Sequence, residues 1–216
     1  MHVKICGITS VEDAIVCVNA GATALGLNFV PASPRAISLE TARAIAASVE
    51  GKVLVVGVVA NMPLDRMRAL RDDIPLGCLQ LHGDEPPEAL QALLPHAYKA
   101  FRVADERDVE EADRFPGDYV LVDAKVEGAL GGTGHVVAPG LVRTLARRRK
   151  LTLAGGLTPE TVAEAIRNVH PYCVDVASGV ESSPGKKDPE KVIAFIRAAR
   201  ASFESVALSA SSDVRS

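Results

Sequence analysis

Short apolar runs alternate with helical periods eight times along 216 residues, and that arithmetic predicts a single-domain (β/α)8 TIM barrel. Each unit averages about 27 residues, close to the least that a strand, a helix and two loops require. Aromatic side chains are few (Phe 5, Tyr 3, Trp 0). The core must then be Val, Leu, Ile and Ala, which suits parallel strands covered on both faces. A doubly wound sheet is the alternative, but it favours a glycine-rich turn after the first strand. Here the glycine clusters come late.

The elements follow in order. A strand over His2–Cys6 leads to a helix over Val11–Ala20. The second pair is Ala24–Phe29 and Leu39–Val49, with Ser38 as the candidate cap. Then come Val53–Val59 with Leu64–Asp72, Gly77–His82 with Pro86–Leu94, and Ala97–Arg102 with Glu106–Phe115. The sixth pair is Asp118–Asp123 and Pro139–Arg148. The seventh is Lys150–Ala154 and Pro159–Asn168, where Thr158-Pro159-Glu160 reads as a cap followed by Pro at the first helical position. The last is Cys173–Ala177 and Pro189–Ala201, announced in the same way by Asp188-Pro189-Glu190. The strands are short and rich in branched aliphatics, as buried parallel strands should be. The barrel is read over 1–201. Residues 202–216 carry Ser and Ala without an apolar period, and fraying is expected there.

Composition excludes several functions. The 24 basic and 27 acidic residues give a net charge of −3, so no basic field awaits a nucleic acid. Scarce aromatics argue against base stacking. No apolar run approaches the roughly 18 residues of a membrane span. Cys6, Cys17, Cys78 and Cys173 form no CxxC pair and have no zinc-finger histidine spacing. No metal is expected, and reduced thiols in a cytoplasm are. The chain opens on a strand-like run rather than a signal-peptide pattern. Arg147-Arg148-Arg149-Lys150 ends a helix at the non-catalytic end and reads as a solvated face.

In such a barrel the chemistry lies at the C-terminal ends of the strands. Those ends are polar here: Cys6-Gly7, Asn28 with Arg35 in the loop beyond, Asn61, His82-Gly83, Arg102, Asp123, Gly155-Gly156 and Ser178-Gly179. Strand alternation turns Lys4 with Cys6, Gln80 with His82, and Leu121 with Asp123 into the barrel. Ala154-Gly155-Gly156-Leu157 and Ala177-Ser178-Gly179-Val180 follow the seventh and eighth strands, the recurrent phosphate position of this architecture. Gly131-Gly132-Thr133-Gly134, after Asp123, reads as a ligand-covering loop.

These residues carry a resemblance. Lys4-Ile5-Cys6-Gly7-Ile8-Thr9, Ser33-Pro34-Arg35, Gln80-Leu81-His82-Gly83, Asp123 with Gly131-Gly132-Thr133-Gly134, Leu153-Ala154-Gly155-Gly156-Leu157, and Val174-Asp175-Val176-Ala177-Ser178-Gly179-Val180-Glu181 with Lys187-Asp188 stand in this order. Together they resemble the motifs of the phosphoribosylanthranilate isomerase family. Two departures stand out: His135-Val136-Val137-Ala138-Pro139 replaces an aromatic-acid-aromatic stretch, and Ala177 stands where the family usually has Ser.

The resemblance implies an aldose–ketose isomerase of tryptophan biosynthesis, working without metal or redox cofactor on a phosphosugar-anthranilate small molecule. It implies an Amadori rearrangement, with Cys6 as general base and Asp123 as general acid. An ordinary Asp has a pKa of about 3.9, so burial is expected to keep Asp123 protonated. Cys6 has the opposite need, and Lys4 is expected to lower its pKa. Arg35 is the ligand for the anthranilate carboxylate, since a guanidinium matches a carboxylate through two bonds. His82 lines the pocket, and Asp175 orients groups or pairs with Lys4. Gly132, Gly155, Gly156, Ser178 and Gly179 complete the substrate contacts. Other phosphosugar barrels of histidine or tryptophan biosynthesis, or a non-catalytic phosphate-binding barrel, are the alternatives. The chain is expected to act as a monomer or homodimer.

Overall fold

A computed structural model describes residues 2–123 and 139–213, with side chains described through residue 208. Eight parallel strands close into a barrel in sequential order: β1 (His2–Cys6), β2 (Ala24–Asn28), β3 (Leu54–Val59), β4 (Cys78–Leu81), β5 (Ala97–Arg102), β6 (Tyr119–Asp123), β7 (Lys150–Ala154) and β8 (Cys173–Val176). The (β/α)8 expectation holds. Between them lie α1 (Val11–Ala20), α2 (Leu39–Ser48), α3 (Leu64–Asp73), α4 (Pro87–Gln91), α5 (Glu106–Arg114), α6 (Pro139–Ala146) and α7 (Val162–Val169), and α8 (Pro189–Asp213) follows β8. A small antiparallel hairpin of β9 (Glu181–Ser183) and β10 (Lys186–Lys187) intervenes before α8. The sequence pattern did not signal it.

The side chains divide by strand alternation. Val3, Ile5, Leu25, Leu27, Leu79, Leu81, Val120, Val122, Leu151, Leu153, Val174 and Val176 face outward into one continuous apolar layer under the helices. The barrel interior is different. Its apolar cluster is small: Ala24, Val56, Tyr98, Ala100, Leu121 and Ala154. Lys4, Gln80, Thr152 and Asp175 are buried beside it. Branched aliphatics therefore build the strand–helix layer, while the interior is small, polar and partly aromatic.

Caps explain several helix starts. Ser38 Oγ accepts from Thr41 N at 3.0 Å, and Asp188 Oδ1 accepts from Glu190 N at 3.0 Å and Lys191 N at 3.2 Å. The seventh helix departs from its expected start at Pro159. Thr161 Oγ1 accepts from Thr158 N at 3.0 Å, closing a separate turn, and the helix proper begins at Val162. The last helix is longer than expected and overturns the frayed tail from residue 202. Ser202 is buried and donates to Ala163 O at 2.9 Å, and Phe203 and Val206 pack on the core. Alanine and serine tolerate a helix well, and these few contacts suffice to extend it.

The basic stretch is also more engaged than a solvated face. Arg148 pairs with Asp113 at 2.8 Å. Arg149 Nη1 donates to Ala112 O at 3.1 Å and Asp113 O at 3.2 Å. Lys150 Nζ stands 4.8 Å from the Tyr119 ring centroid. The run ties the end of α5 to the start of β7. Among the described residues no helix is long and apolar enough to cross a membrane.

Candidate active site

A cavity of about 540 Å3 opens at the C-terminal end of the barrel. Cys6, Arg35, His82, Asp123, Gly155, Gly156, Asp175, Ser178 and Gly179 all line it. The sequence thus placed nine site residues around one space. Gly132 and the rest of the Gly128–His135 loop lie outside the described residues.

Cys6 is the last residue of β1, partly buried, and sits in register with Gly26 of β2. A Cβ on Gly26 would come within 2.6 Å of the Cys6 sulfur, so glycine makes the room that the thiol fills. Lys4 lies two residues earlier on the same inward face. Its Nζ donates to Asp175 Oδ2 at 2.7 Å, and strand register sets the pair directly opposite. This bears out the pairing expected for Asp175. Burial works to push Lys4 down, but the charges of Asp175, Cys6 and Tyr98 hold it well above its usual value. The thiol is a correction. Burial pushes Cys6 above its usual 9.0, and Asp175 adds to that, while Lys4 opposes them by charge and hydrogen bonding without prevailing. Desolvation of the would-be thiolate outweighs one cation shared with a carboxylate.

Asp123 ends β6, three strands from β1 by way of β7 and β8. The residue is only partly buried, less than its expected role as a protonated acid suggested. It lies near His82, whose imidazole feels its charge. The turn carrying His82 is clamped from outside the barrel. Glu85 accepts from Gly83 N at 3.0 Å and from Asn61 N at 2.7 Å, and Lys99 Nζ donates to Gly83 O at 2.6 Å.

Arg35 is held by a loop organised around Ser33, whose hydroxyl accepts from Asn28 Nδ2 and from Arg35 N, both at 3.1 Å. Its guanidinium meets a carboxylate already present. Nε donates to Glu181 Oε1 at 2.8 Å and Nη2 to Oε2 at 2.7 Å. Among the described residues no hydrogen bond engages Nη1. Glu181 Oε1 also accepts from Lys187 Nζ at 2.8 Å. Lys187 is fully buried and donates further to Cys6 O at 2.7 Å and Ala177 O at 3.2 Å. A continuous polar chain thus runs from Arg35 through Glu181 and Lys187 to the backbone of Cys6. Sequence reasoning quoted Glu181 and Lys187 within motifs but gave them no role. A Glu and a Lys pair flanking Ser182-Ser183-Pro184-Gly185 were the available signal.

Burial works to raise the Glu181 carboxyl, yet hydrogen bonds and charge from Arg35 and Lys187 carry it below its usual 4.5. A lowered folded pKa lends stability that is complete above the unfolded value and fades as pH falls through the folded one. Glu181→Gln is therefore expected to melt below wild type at neutral pH. The gap should narrow on acidification below 4.5. Melting curves across that range test it; a gap independent of pH would contradict the assignment.

The two glycine turns meet. Gly155 and Gly156 take positive φ of 107° and 68° after β7. Ser178 and Gly179 open a single 3-10 turn, Ser178–Val180, after β8. A Cβ on Gly179 would lie 1.9 Å from the Leu157 carbonyl oxygen, so only glycine lets the two loops touch. Among the described residues no three His, Cys, Asp or Glu side chains form a group able to hold a metal ion.

Comparison with known proteins places the fold and the sequence. The family model described as N-(5'phosphoribosyl)anthranilate (PRA) isomerase matches residues 3–198. The N-(5'-phosphoribosyl)anthranilate isomerase of Pelobacter propionicus is 42% identical over 200 residues, covering 93% of this chain and 96% of the relative. A solved phosphoribosyl anthranilate isomerase from Thermotoga maritima superposes with a TM-score of 0.84 at 40% identity, over 93% of this chain and 99% of the other. Another structure of such an isomerase, in complex with reduced 1-(o-carboxyphenylamino)-1-deoxyribulose 5-phosphate, gives 0.83 at 38% identity over 93% of this chain and 99% of that one. The match runs through almost every strand and helix described above, and the chain belongs to the N-(5'-phosphoribosyl)anthranilate isomerase family.

Proposed function

We propose that this site converts N-(5'-phosphoribosyl)anthranilate, an aminoaldose, into 1-(2-carboxyphenylamino)-1-deoxyribulose 5-phosphate, an aminoketose, in tryptophan biosynthesis. The observation that carries the reading is the placement of Cys6 and Asp123, from separated strands, on one cavity floored by two glycine turns. Substrate phosphate binds at Gly155, Gly156, Ser178 and Gly179, whose backbone N–H groups offer donors without a side-chain charge. Arg35 takes the anthranilate carboxylate through its Nη1 edge, unengaged among the described residues, while Glu181 holds the rest of the guanidinium. Aliphatic walls support the ring, since aromatic partners are scarce.

Chemistry then needs two proton transfers. Asp123, as general acid, gives a proton to the furanose ring oxygen, and the C1–O bond breaks to leave a protonated Schiff base. The Cys6 thiolate removes the C2 proton, and the electron pair moves to form the enolamine. Tautomerisation delivers the ketone at C2. Each positioned group contributes on the order of 10²–10⁴ in rate. Loss of phosphoribosylanthranilate fluorescence with purified protein tests the reading. Binding without turnover would instead favour a non-catalytic phosphate-binding barrel.

The phosphate cradle makes its own prediction. Gly179→Ala drives a methyl group into the Leu157 carbonyl, so the loops must part. Hydrogen bonds to a charged group are worth about 1.5–3 kcal/mol, and KM is expected to rise roughly 10–100-fold. Steady-state kinetics decide it: an unchanged KM places the phosphate elsewhere. We assign the protein to the cytoplasm, consistent with four free cysteines. It acts as a monomer or homodimer; a relative from Thermotoga maritima is dimeric.

A further inference from the structure

Three side chains form a line inside the barrel beneath the site. The Tyr98 hydroxyl donates to Gln80 Oε1 at 3.0 Å, and Gln80 Nε2 lies 2.8 Å from His82 Nδ1. Register places Tyr98 of β5 directly opposite Gln80 of β4. Tyr98 and Gln80 are both buried, and His82 stands at the rim, lining the cavity.

The direction of this line follows from donor and acceptor arithmetic. A carboxamide has one acceptor end and one donor end. The Tyr98 hydroxyl has this single hydrogen bond among the described residues. Lys4, the cation whose charge it feels, has protons to give and no lone pair to receive one. Turning the amide over would strand a buried phenolic proton, at about 1–3 kcal/mol. Gln80 therefore keeps its oxygen toward Tyr98 and its NH2 toward His82. An NH2 group cannot accept, so Nδ1 must. A neutral imidazole that accepts at Nδ1 carries its proton on Nε2.

We propose that Tyr98 and Gln80 are positioning residues that set His82 in the neutral Nε2–H tautomer, so that the ring offers an N–H donor to the cavity. An imidazolium would bring two donors together at Gln80. The electrostatic surroundings agree. Burial holds His82 below its usual 6.5, with Lys4 and Arg102 adding to that and Asp123 and Asp175 opposing. The donor suits a sugar or ring oxygen of the substrate rather than a proton-donating group. That last step rests on the isomerase reading; the tautomer itself is a property of the unliganded protein.

Long-range 1H–15N correlation spectra of protein labelled at its 5 histidines read the tautomer directly. The His82 signals are those that vanish in His82→Asn. At pH 7 without substrate, the expected result is an unprotonated Nδ1 and a protonated Nε2. A protonated Nδ1 in the wild type, as the other tautomer or the imidazolium, overturns the proposal. Gln80→Glu replaces the donor with an acceptor, and Nδ1 is expected to become protonated. Tyr98→Phe frees the amide to turn, and both tautomers are expected in exchange. Melting curves confirm that each variant is folded. A folded Gln80→Glu protein that keeps Nδ1 unprotonated also overturns the proposal. Failure of the isomerase assay alone leaves the spectra standing, so the two readings fail separately.

Discussion

Exchange of Cys6 for Ser is expected to reduce kcat/KM for phosphoribosylanthranilate by about 10²–10⁴-fold, with little change in KM. The substitution is small in volume and keeps a hydroxyl where the thiol stood. What it removes is an accessible anion, because a serine hydroxyl is a far weaker acid than a thiol. The space around the sulfur is shaped for it by Gly26, so the variant should keep the site's form. Asp123→Asn should cost a similar factor, since an amide has no acidic proton for the ring oxygen. The pH dependence has a definite sign. Burial and Asp175 hold the thiol above its usual 9.0 despite Lys4. The thiolate fraction, and with it kcat/KM of the free enzyme, should climb with pH through neutrality. A Cys6→Ser enzyme that keeps both the rate and that rising limb would remove Cys6 from the role of base.

Replacing Lys4 by Met is expected to cost about 3–5 kcal/mol of stability, the usual penalty for stranding one member of a buried ion pair. For a chain of this size the melting temperature should fall by about 6–20 °C. The pair lies deep: Lys4 and Asp175 are 2% and 6% exposed. Among the described residues Asp175 Oδ1 already lacks a hydrogen-bond partner, so loss of Lys4 leaves neither carboxylate oxygen satisfied by them. The Lys4→Met, Asp175→Leu double variant removes both charges and should recover most of the loss, because the desolvation penalty goes with them. Thermal melts of the three variants form the test. A single variant as stable as wild type would mean that water or another cation reaches Asp175. The double variant should stay inactive even where it melts normally, as the thiol loses the cation that opposes its burial.

Much of this was legible in the chain. Alternation alone turned Lys4 with Cys6 and Gln80 with His82 inward, because a strand under helices must give its apolar face to them. The order of Gly155-Gly156 and Ser178-Gly179 after the seventh and eighth strands put both glycine turns on the cavity that the structure shows. The pairings were not legible. Arg35 and Glu181 are 146 residues apart, and only the closed barrel brings them together. Lys187 was visible as a residue but not as a donor to Cys6, since the hairpin that carries it has no periodic signal. The direction of the Cys6 shift was misread for a related reason. Lys4 is only two residues away in sequence, whereas the desolvation that outweighs it comes with burial in the closed barrel. The C-terminal extension of α8 hid behind a polar composition, although Ser202, Phe203 and Val206 anchor it.

The bond from Lys187 to the carbonyl of Cys6 spans 181 positions. On the ribosome Cys6 is made well before Lys187, which supports its backbone. The Arg35 guanidinium likewise waits for Glu181. A nascent chain can lay down β1 and its thiol early, but the site is finished only once the β9–β10 hairpin has been made. Termination before the hairpin leaves Cys6 and Asp123 in the chain without the Glu181 and Lys187 contacts that hold Arg35 and the Cys6 backbone.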